Sequence, residues 1–345
     1  MSQPPAESLL RVTVIGDGAM ATVCSNILAA RAEVRVTMWG RNAERLAEIE
    51  RGGENRRYLP GVKVSPTLRF AADDAAALKD ADLVLCAIPA QFIRPILTRL
   101  APHIRAGLPV VSVSKGIEID TLCRPSEVIA GVLGGGRRPV AALSGPNIAG
   151  ELARGLPATM VAAAEEEHDA FVRQLQELFT TPSLRVYRNH DLVGVELAGA
   201  LKNVIAIAAG ILDGMKAGYN AKAALLTRGL VEISRLGAVL GAQPETFAGL
   251  AGLGDLVTTC FSPEGRNRRF GERIGRGEKA GEALASIAGV VEGMPTCEAV
   301  VRLAKKQGIE MPIAEGLHAV LFEDRPPREQ LAELMSREPK AEQEG

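Results

Sequence analysis

The chain has little for a nucleic acid to hold. Aromatic residues make up 3% of its 345 positions, and a single tryptophan is present. Few rings are therefore left on which single-stranded bases could stack. The formal net charge is −1, so no basic field draws phosphate backbones or acidic membranes. Nucleic acid is excluded as a main partner. Histidine is scarce as well, and His103, His168, His190 and His318 have no metal-ligand spacing, so no metal site is expected. The five cysteines (Cys24, Cys86, Cys123, Cys260 and Cys297) are odd in number and form no CxxC pair. They read as small core residues in a reducing compartment. Residues 1–10 lack a signal-peptide pattern, and no uncharged apolar run reaches membrane-spanning length. A soluble, cytoplasmic protein without stable membrane insertion is expected. No internal repeat or long low-complexity linker is found.

What is present is apolar material, 47% of the chain, enough for the cores of two domains. The run RVTVI at 11–15 meets GDGAMA, and a helical pattern follows to about 31. This is strand, glycine turn, helix, with the GxGxxA spacing of a dinucleotide-binding turn. Gly16 permits the tight turn, Gly18 lets a pyrophosphate approach the backbone, and Ala21 keeps helix and strand close. The next strand, 33–39, ends Trp39-Gly40-Arg41-Asn42 without the acid that usually faces a ribose 2′-hydroxyl. Either Arg41 faces a 2′-phosphate, which leans toward NADP(H), or it opens a solvated helix over 42–51.

Strand and helix patterns then alternate. Strands are expected at 82–89, 109–114, 158–164 and 183–188, with a strand and then a turn over 139–147, and helices at 73–79, 90–101, 147–153 and 165–179. Lys115 follows a strand end, where ligands of open α/β sheets gather. The alternation predicts an α/β fold: an N-terminal doubly wound, Rossmann-type dinucleotide-binding domain over 1–189. Strand patterns largely disappear from His190 onward. Residues 190–345 read as an all-α domain with a frayed, charged tail, EPKAEQEG.

The long helix VELAGALKNVIAIAAGILDG, 195–214, dominates this second half. At helical spacing Val195, Ala198, Gly199, Lys202, Ala206 and Ala209 share one stripe. Lys202 thus projects from a strip of small side chains that lets a backbone or a flat ligand come close. It is either an acid/base group in a cleft or a core lysine paired with Glu196 or Asp213. The helical pattern at 223–241 sets Arg228 and Glu232 four residues apart. AGLGDLVTT places Asp255 in a glycine turn, and SPEGRNRRFG gathers Arg266, Asn267, Arg268 and Arg269. The second cluster suits phosphate oxygens, or is a solvated basic turn. Val290 and Glu292 lie in a loop before a helix that Thr296 caps and that ends near Gly308.

Several blocks in fixed order closely resemble the bacterial NAD(P)-dependent glycerol-3-phosphate dehydrogenases. They are KG at 115–116, LSGPNIAGELARGLPATMV, VELAGALKNVIAIAAG, LTRGLVEISRLG, AGLGDLVTTC and GRNRRFG. The resemblance covers nearly the whole chain. It implies interconversion of dihydroxyacetone phosphate and sn-glycerol 3-phosphate with NADPH or NADH, for phospholipid synthesis, and often a homodimer. Carried over by matching position, Lys202 is the proton donor and acceptor. Lys115, Gly145, Asn147, Asn203, Asp255, Thr259, Arg266 and Asn267 join it around the substrate. Gly16, Gly18, Ala19, Met20, Arg41, Lys115, Ala149, Arg266, Val290 and Glu292 match cofactor positions. Three departures stand out. Ala19-Met20-Ala21 replaces the usual Ser-Trp-Gly, Gly265 stands where serine is common, and Asn147 where Ser or Thr is usual. They bear on cofactor affinity and on NADH/NADPH preference more than on reaction type.

The rivals are a two-domain hydroxyacid dehydrogenase or ketopantoate reductase, and a nucleotide sensor on a Rossmann scaffold. The first has a carboxylate substrate and no need for GRNRR. The second has little reason to keep Lys115, Lys202 and Asp255 together.

Overall fold

A computed structural model describes residues 9–134, 138–339 and 341. The chain divides into two compact units. The first comprises Met1–Ser114, Pro125–Leu143 and Asn147–His190, and the second Lys115–Arg124, Ser144–Pro146 and Asp191–Gly345. Two short loops from the first half of the sequence thus belong to the second unit. One of them holds Lys115 and the other Gly145.

The first half alternates as its sequence pattern requires. In order come β1 (Leu10–Ile15), α1 (Ala19–Ala29), β2 (Val34–Trp39), α2 (Ala43–Gly52), β3 (Arg69–Ala71), α3 (Asp74–Leu78), β4 (Leu83–Cys86), α4 (Ile93–Leu100) and β5 (Val110–Ser112). There follow α5 (Pro125–Leu133), β6 (Val140–Ser144), α6 (Ala149–Ala153), β7 (Ala158–Ala163), α7 (Asp169–Phe179) and β8 (Leu184–Asn189). The eight strands form one sheet in the order β3-β2-β1-β4-β5-β6-β7-β8. β1 pairs in parallel with both β2 and β4, with Val14 opposite Met38 and Leu85. The chain order reverses between β1 and β4, so the glycine turn after β1 lies at the topological switch point, where such sheets bind ligands. The core strands are buried on both faces, which explains their continuous apolar runs. Val12, Val14, Val36, Leu83, Leu85, Val111 and Ala141 join Leu28 and Leu175 in one cluster.

The rest is helical: α8 (Leu192–Met215), α9 (Tyr219–Val239), α10 (Pro244–Ala248), a π-helical turn (Leu250–Gly254), α11 (Asp255–Phe261), α12 (Arg266–Gly275), α13 (Ala280–Ala285), α14 (Gly293–Gln307), α15 (Pro312–Phe322) and α16 (Pro327–Met335). α8 is the axis of this unit. Asp191 caps its N-terminus, accepting from the Gly194 amide at 2.8 Å, a contact worth about 1 kcal/mol. The same carboxylate holds the Gln243 amide and the Thr246 hydroxyl, tying α10 to the start of α8. By length and composition α8 is apolar enough to cross a membrane, yet 94% of its apolar window is buried within the protein.

The small residues of α8 have specific neighbours. A Cβ on Gly210 would stand 2.0 Å from the Arg268 carbonyl oxygen, and one on Gly214 2.2 Å from that of Glu272. In return, a Cβ on Gly271 or Gly275 of α12 would lie 1.9 or 2.2 Å from the carbonyl oxygens of Ile207 and Ile211. Two glycine pairs therefore interlock α8 with α12 at near-backbone contact.

Three local expectations are corrected. GRNRRFG is not a turn: Arg266–Gly275 is a helix, because Asn267, Phe270, Gly271 and Ile274 form a buried stripe at helical spacing. Asp255 does not sit in a glycine turn but opens α11, after a π-helical turn that Gly252 makes possible. A Cβ there would lie 2.0 Å from the Phe247 carbonyl. Thr296 does not cap α14; it lies in its first turn and donates to the Glu292 carbonyl at 2.6 Å. Of the expected frayed tail, residues 340 and 342–345 lie outside the described residues.

Candidate active site

Lys202 projects from the middle of α8 and is 6% exposed. Its ammonium donates to the Thr259 hydroxyl at 2.5 Å and pairs with Asp255 Oδ1 at 3.0 Å. Neither sequence-neighbour partner serves it. Glu196 accepts from Arg124 at 2.7 Å, and Asp213 is held by Lys222 and Arg268. The other oxygen of Asp255 accepts from Lys115 at 2.6 Å, and Lys115 also donates to the Gly145 carbonyl at 3.1 Å. Thr259, one turn after Asp255 on α11, donates to Asp255 Oδ1 at 3.2 Å. Two ammonium groups thus share one buried carboxylate.

The electrostatics follow. Burial pushes the Asp255 carboxyl up, but Lys115 and Lys202 together outweigh it and hold it below the ordinary carboxylate range. For Lys115 burial dominates. It pulls the ammonium down to about 8 against the attraction of Asp255, and Lys202 adds like-charge repulsion.

The stripe of small residues explains how Lys115 reaches this place. A Cβ on Gly199 would lie 2.7 Å from Ser144 Oγ and within 4 Å of the Lys115 stem. Gly199 thus lets Ser144 and the Lys115 stem lie close against α8. Ser144 Oγ is buried there with no hydrogen-bond partner among the described residues. Sequence reading missed this serine, although it directly precedes Gly145. The pair Arg124–Glu196 then pins the far end of the Lys115 loop to α8.

A second polar node lies one residue along α8. Asn267 donates to Asn203 Oδ1 at 2.9 Å and accepts from the Gly293 amide at 3.0 Å, joining α8, α12 and α14. Asn203 in turn donates to the Gly199 carbonyl at 3.4 Å. Arg266, exposed at the start of α12, passes Gly289, whose φ is +92° and whose Cβ would meet the guanidinium at 2.7 Å. Gly289 was also missed; its signal is a glycine directly before Val290. Val290 and Glu292 precede α14 and are half-buried. A separate apolar cavity of about 520 Å³, lined by Ile211, Leu225, Leu317 and Leu334 among others, contains none of these residues.

The remaining positions belong to the first unit. Gly16 has φ +121°, and a Cβ on it would lie 2.5 Å from the Ala87 carbonyl, so only glycine fits. Gly18 is the N-cap of α1 with no side-chain cap, and a Cβ on it would meet nothing within 4 Å. The first amides of α1, at Ala19 and Met20, are therefore left for an anion. This uncapped helix end, with open space above it, fits a dinucleotide pyrophosphate. Asn55, 1% exposed, braces the turn by donating to the Asp17 carbonyl and the Thr22 hydroxyl, both at 2.8 Å. Arg41 is exposed just past β2, its guanidinium 5.9 Å from the Phe92 ring centre. Asn147 is buried after β6, and Ala149 opens α6. The structure thus brings Lys115, Gly145, Lys202, Asp255 and Thr259 into one contact set, and Asn203 with Asn267 into another.

Comparison with known proteins agrees over almost the full length. Residues 11–170 match the model of the NAD-dependent glycerol-3-phosphate dehydrogenase N-terminus, and 191–332 that of its C-terminus. The glycerol-3-phosphate dehydrogenase [NAD(P)+] of Geobacter sp. (strain M21) is 47% identical over 333 residues, 96% of this chain and 98% of that protein. The crystal structure of the glycerol-3-phosphate dehydrogenase from Coxiella burnetii aligns with TM-score 0.91 at 38% identity, covering 95% of this chain and 99% of that one. A ketopantoate reductase from Ralstonia eutropha aligns with TM-score 0.59 at 17% identity over 93% of this chain, a likeness of fold alone.

Proposed function

The chain belongs to the NAD-dependent glycerol-3-phosphate dehydrogenase family, and on that premise we propose how its own residues run the reaction. It is an NAD(P)-dependent oxidoreductase that interconverts dihydroxyacetone phosphate and glycerol 3-phosphate. The observation that supports the residue assignment is the buried Lys202–Asp255–Lys115 cluster with Thr259.

A reduced nicotinamide, when bound, supplies the hydride for the C2 carbonyl. Lys202 supplies the proton to the carbonyl oxygen and takes it back in the oxidising direction. Asp255 and Thr259 fix the Lys202 ammonium from two sides, so it does not have to be ordered at the moment of transfer. Lys115 places a second positive group in the same low-dielectric setting and stabilises the oxygen as charge develops on it. Arg266, a planar donor that stays charged, and Asn267 hold the phosphate, with Gly145, Asn147 and Asn203 completing the substrate contacts. Gly16, Gly18, Ala19, Met20, Arg41, Ala149, Val290 and Glu292, with Lys115 and Arg266, hold the cofactor. Residues 1–189 serve as the dinucleotide-binding domain and 190–345 as the substrate and catalytic domain. The reduced product supplies the glycerol phosphate of phospholipids, and the enzyme works in the cytoplasm as a homodimer. The burial of α8 inside its own unit supports a protein without membrane insertion.

The test is the absorbance loss of NADPH and of NADH with dihydroxyacetone phosphate, beside a carboxylate-bearing ketone of similar size. Turnover of the phosphate alone is expected. Turnover of the carboxylate alone would move the chain to the rival reductases.

A further inference from the structure

The second strand ends without a carboxylate, yet a carboxylate stands beside its end. Asp17, between the two glycines of the first turn, brings Oδ2 to 3.1 Å from where a Cβ on Gly40 would lie. Its side chain is 13% exposed. The place at which an NAD-preferring fold presents an acid from its second strand is thus supplied from the first turn.

That acid is not alone. Arg45, on the first turn of α2, donates Nε to Asp17 Oδ2 at 2.5 Å, and its terminal nitrogen reaches the same oxygen. The Arg45 guanidinium also lies 5.7 Å from the centre of the Tyr58 ring, which Arg57 approaches at 5.4 Å. Arg41 is exposed four residues earlier on the same segment. Glu44 and Glu48 share α2, and Glu54 is taken up by Arg56 and the Gly61 amide.

We propose that Asp17 and Arg45 together set cofactor choice at the ribose 2′-position. Asp17 is the acceptor for a 2′-hydroxyl that β2 does not provide. Arg45, together with Arg41, is the donor set for a 2′-phosphate. An unphosphorylated dinucleotide leaves the ion pair closed and bonds to Asp17. A 2′-phosphate draws Arg45 from Asp17 and must tolerate a carboxylate nearby. One acid shared between these demands makes the chain accept both cofactors, with a ratio fixed by the pair. The inference rests on reading the glycine turn as a dinucleotide site and deepens it.

The experiment is calorimetric titration of NADH and NADPH, without substrate, into the wild type, Asp17→Asn and Arg45→Gln. The readout is the ratio of the two dissociation constants, because removing a carboxylate near the turn also eases pyrophosphate binding for both. Asp17→Asn should shift the ratio toward NADPH by about tenfold, the scale of one charge-assisted hydrogen bond. Arg45→Gln should shift it toward NADH by about as much. Two variants with opposite signs keep the test decisive if one folds poorly, which thermal unfolding reports. Wild-type binding of both cofactors with an unmoved ratio in the variants would reduce the pair to a brace of the turn. Wild-type binding of neither would overturn the dinucleotide reading and this inference with it.

Discussion

The chain pairs a carboxylate with cations in each of its two units, and it does so with different cations. In the helical unit Asp255 holds Lys115 and Lys202, both buried. In the α/β unit Asp17 holds Arg45, and Arg41 is exposed four residues earlier on the same segment. The difference follows from what each group has to do. A proton donor must be able to lose its proton, and burial brings a lysine toward that point. A phosphate donor must stay charged, and a guanidinium does so at any working pH. Lys115, down to about 8, shows that the buried environment is already strong enough to move an ammonium. No such pressure is wanted on an arginine that waits for a phosphate.

The largest effect comes from removing the titratable group itself. Lys202→Ala should lower kcat by 10²- to 10⁴-fold, the usual worth of a positioned acid/base group, as roughly estimated for such residues. Calorimetry should find cofactor binding near the wild-type value, because the glycine turn is untouched. Lys202→Arg keeps the charge, but a guanidinium does not hand over its proton, so the variant should stay as slow as the alanine variant. Near-normal turnover in either variant would break the contrast between the two clusters.

A smaller effect sharpens it. Below about pH 8 Lys115 is an ammonium, and above that it is neutral. Binding of the anionic substrate should therefore weaken as pH rises from 7 to 9, with KM climbing by several-fold to roughly tenfold, one charge contact's worth. A guanidinium keeps its charge throughout, so Arg266 supplies a constant background. In Lys115→Arg the alkaline rise in KM should vanish, even if its absolute value is worse. An identical alkaline limb in that variant would assign the titration elsewhere.

How much of this was legible in the sequence depends on distance along the chain. β1, the glycine turn and α1 are contiguous, so spacing alone placed Gly16 where the backbone requires glycine and Gly18 at the start of α1. The continuous apolar runs read as central strands because both faces are buried. Lys202 was picked out by its place on a stripe of small residues, but only the family resemblance, and no local pattern, put Lys115, Asp255 and Thr259 around it. Asp255 lies 53 positions away and Lys115 lies 87. No local pattern reports that Gly199 clears the space in which they meet. The same limit explains GRNRRFG. Its arginines read equally as a phosphate-binding cluster or a solvated turn, and that they start a helix is seen only when Gly271 and Gly275 lock it against α8. Asp17 was hidden differently, as the unspecified residue of a glycine motif, and only its nearness to Gly40 shows its use.

A last effect, on stability and not on turnover, uses a third carboxylate as the control for Asp255. Glu232 on α9 is as buried as Asp255, at 3% against 2% exposed. It accepts from the amides of Ile313 and Ala314 at 3.0 and 2.9 Å, at the start of α15. Dipoles replace the two lysines, and they do not compensate. Burial pushes its carboxyl up to about 7, with the two amides and Arg235 opposing. The sign of the stability change follows from the direction of this shift. The folded state holds the proton more tightly than the unfolded chain, whose carboxyl titrates near 4.5. The resulting stability is fully present below about 4.5 and is lost as pH rises through about 7. The loss is on the order of 3 kcal/mol, a fall of several degrees in unfolding temperature. Glu232→Gln cannot ionise, so the difference in unfolding temperature between wild type and variant should change across pH 5 to 8. A difference that stays flat would mean that two helix amides stabilise a buried carboxylate as well as two lysines do. In that case Asp255 would owe its ionised state to more than Lys115 and Lys202.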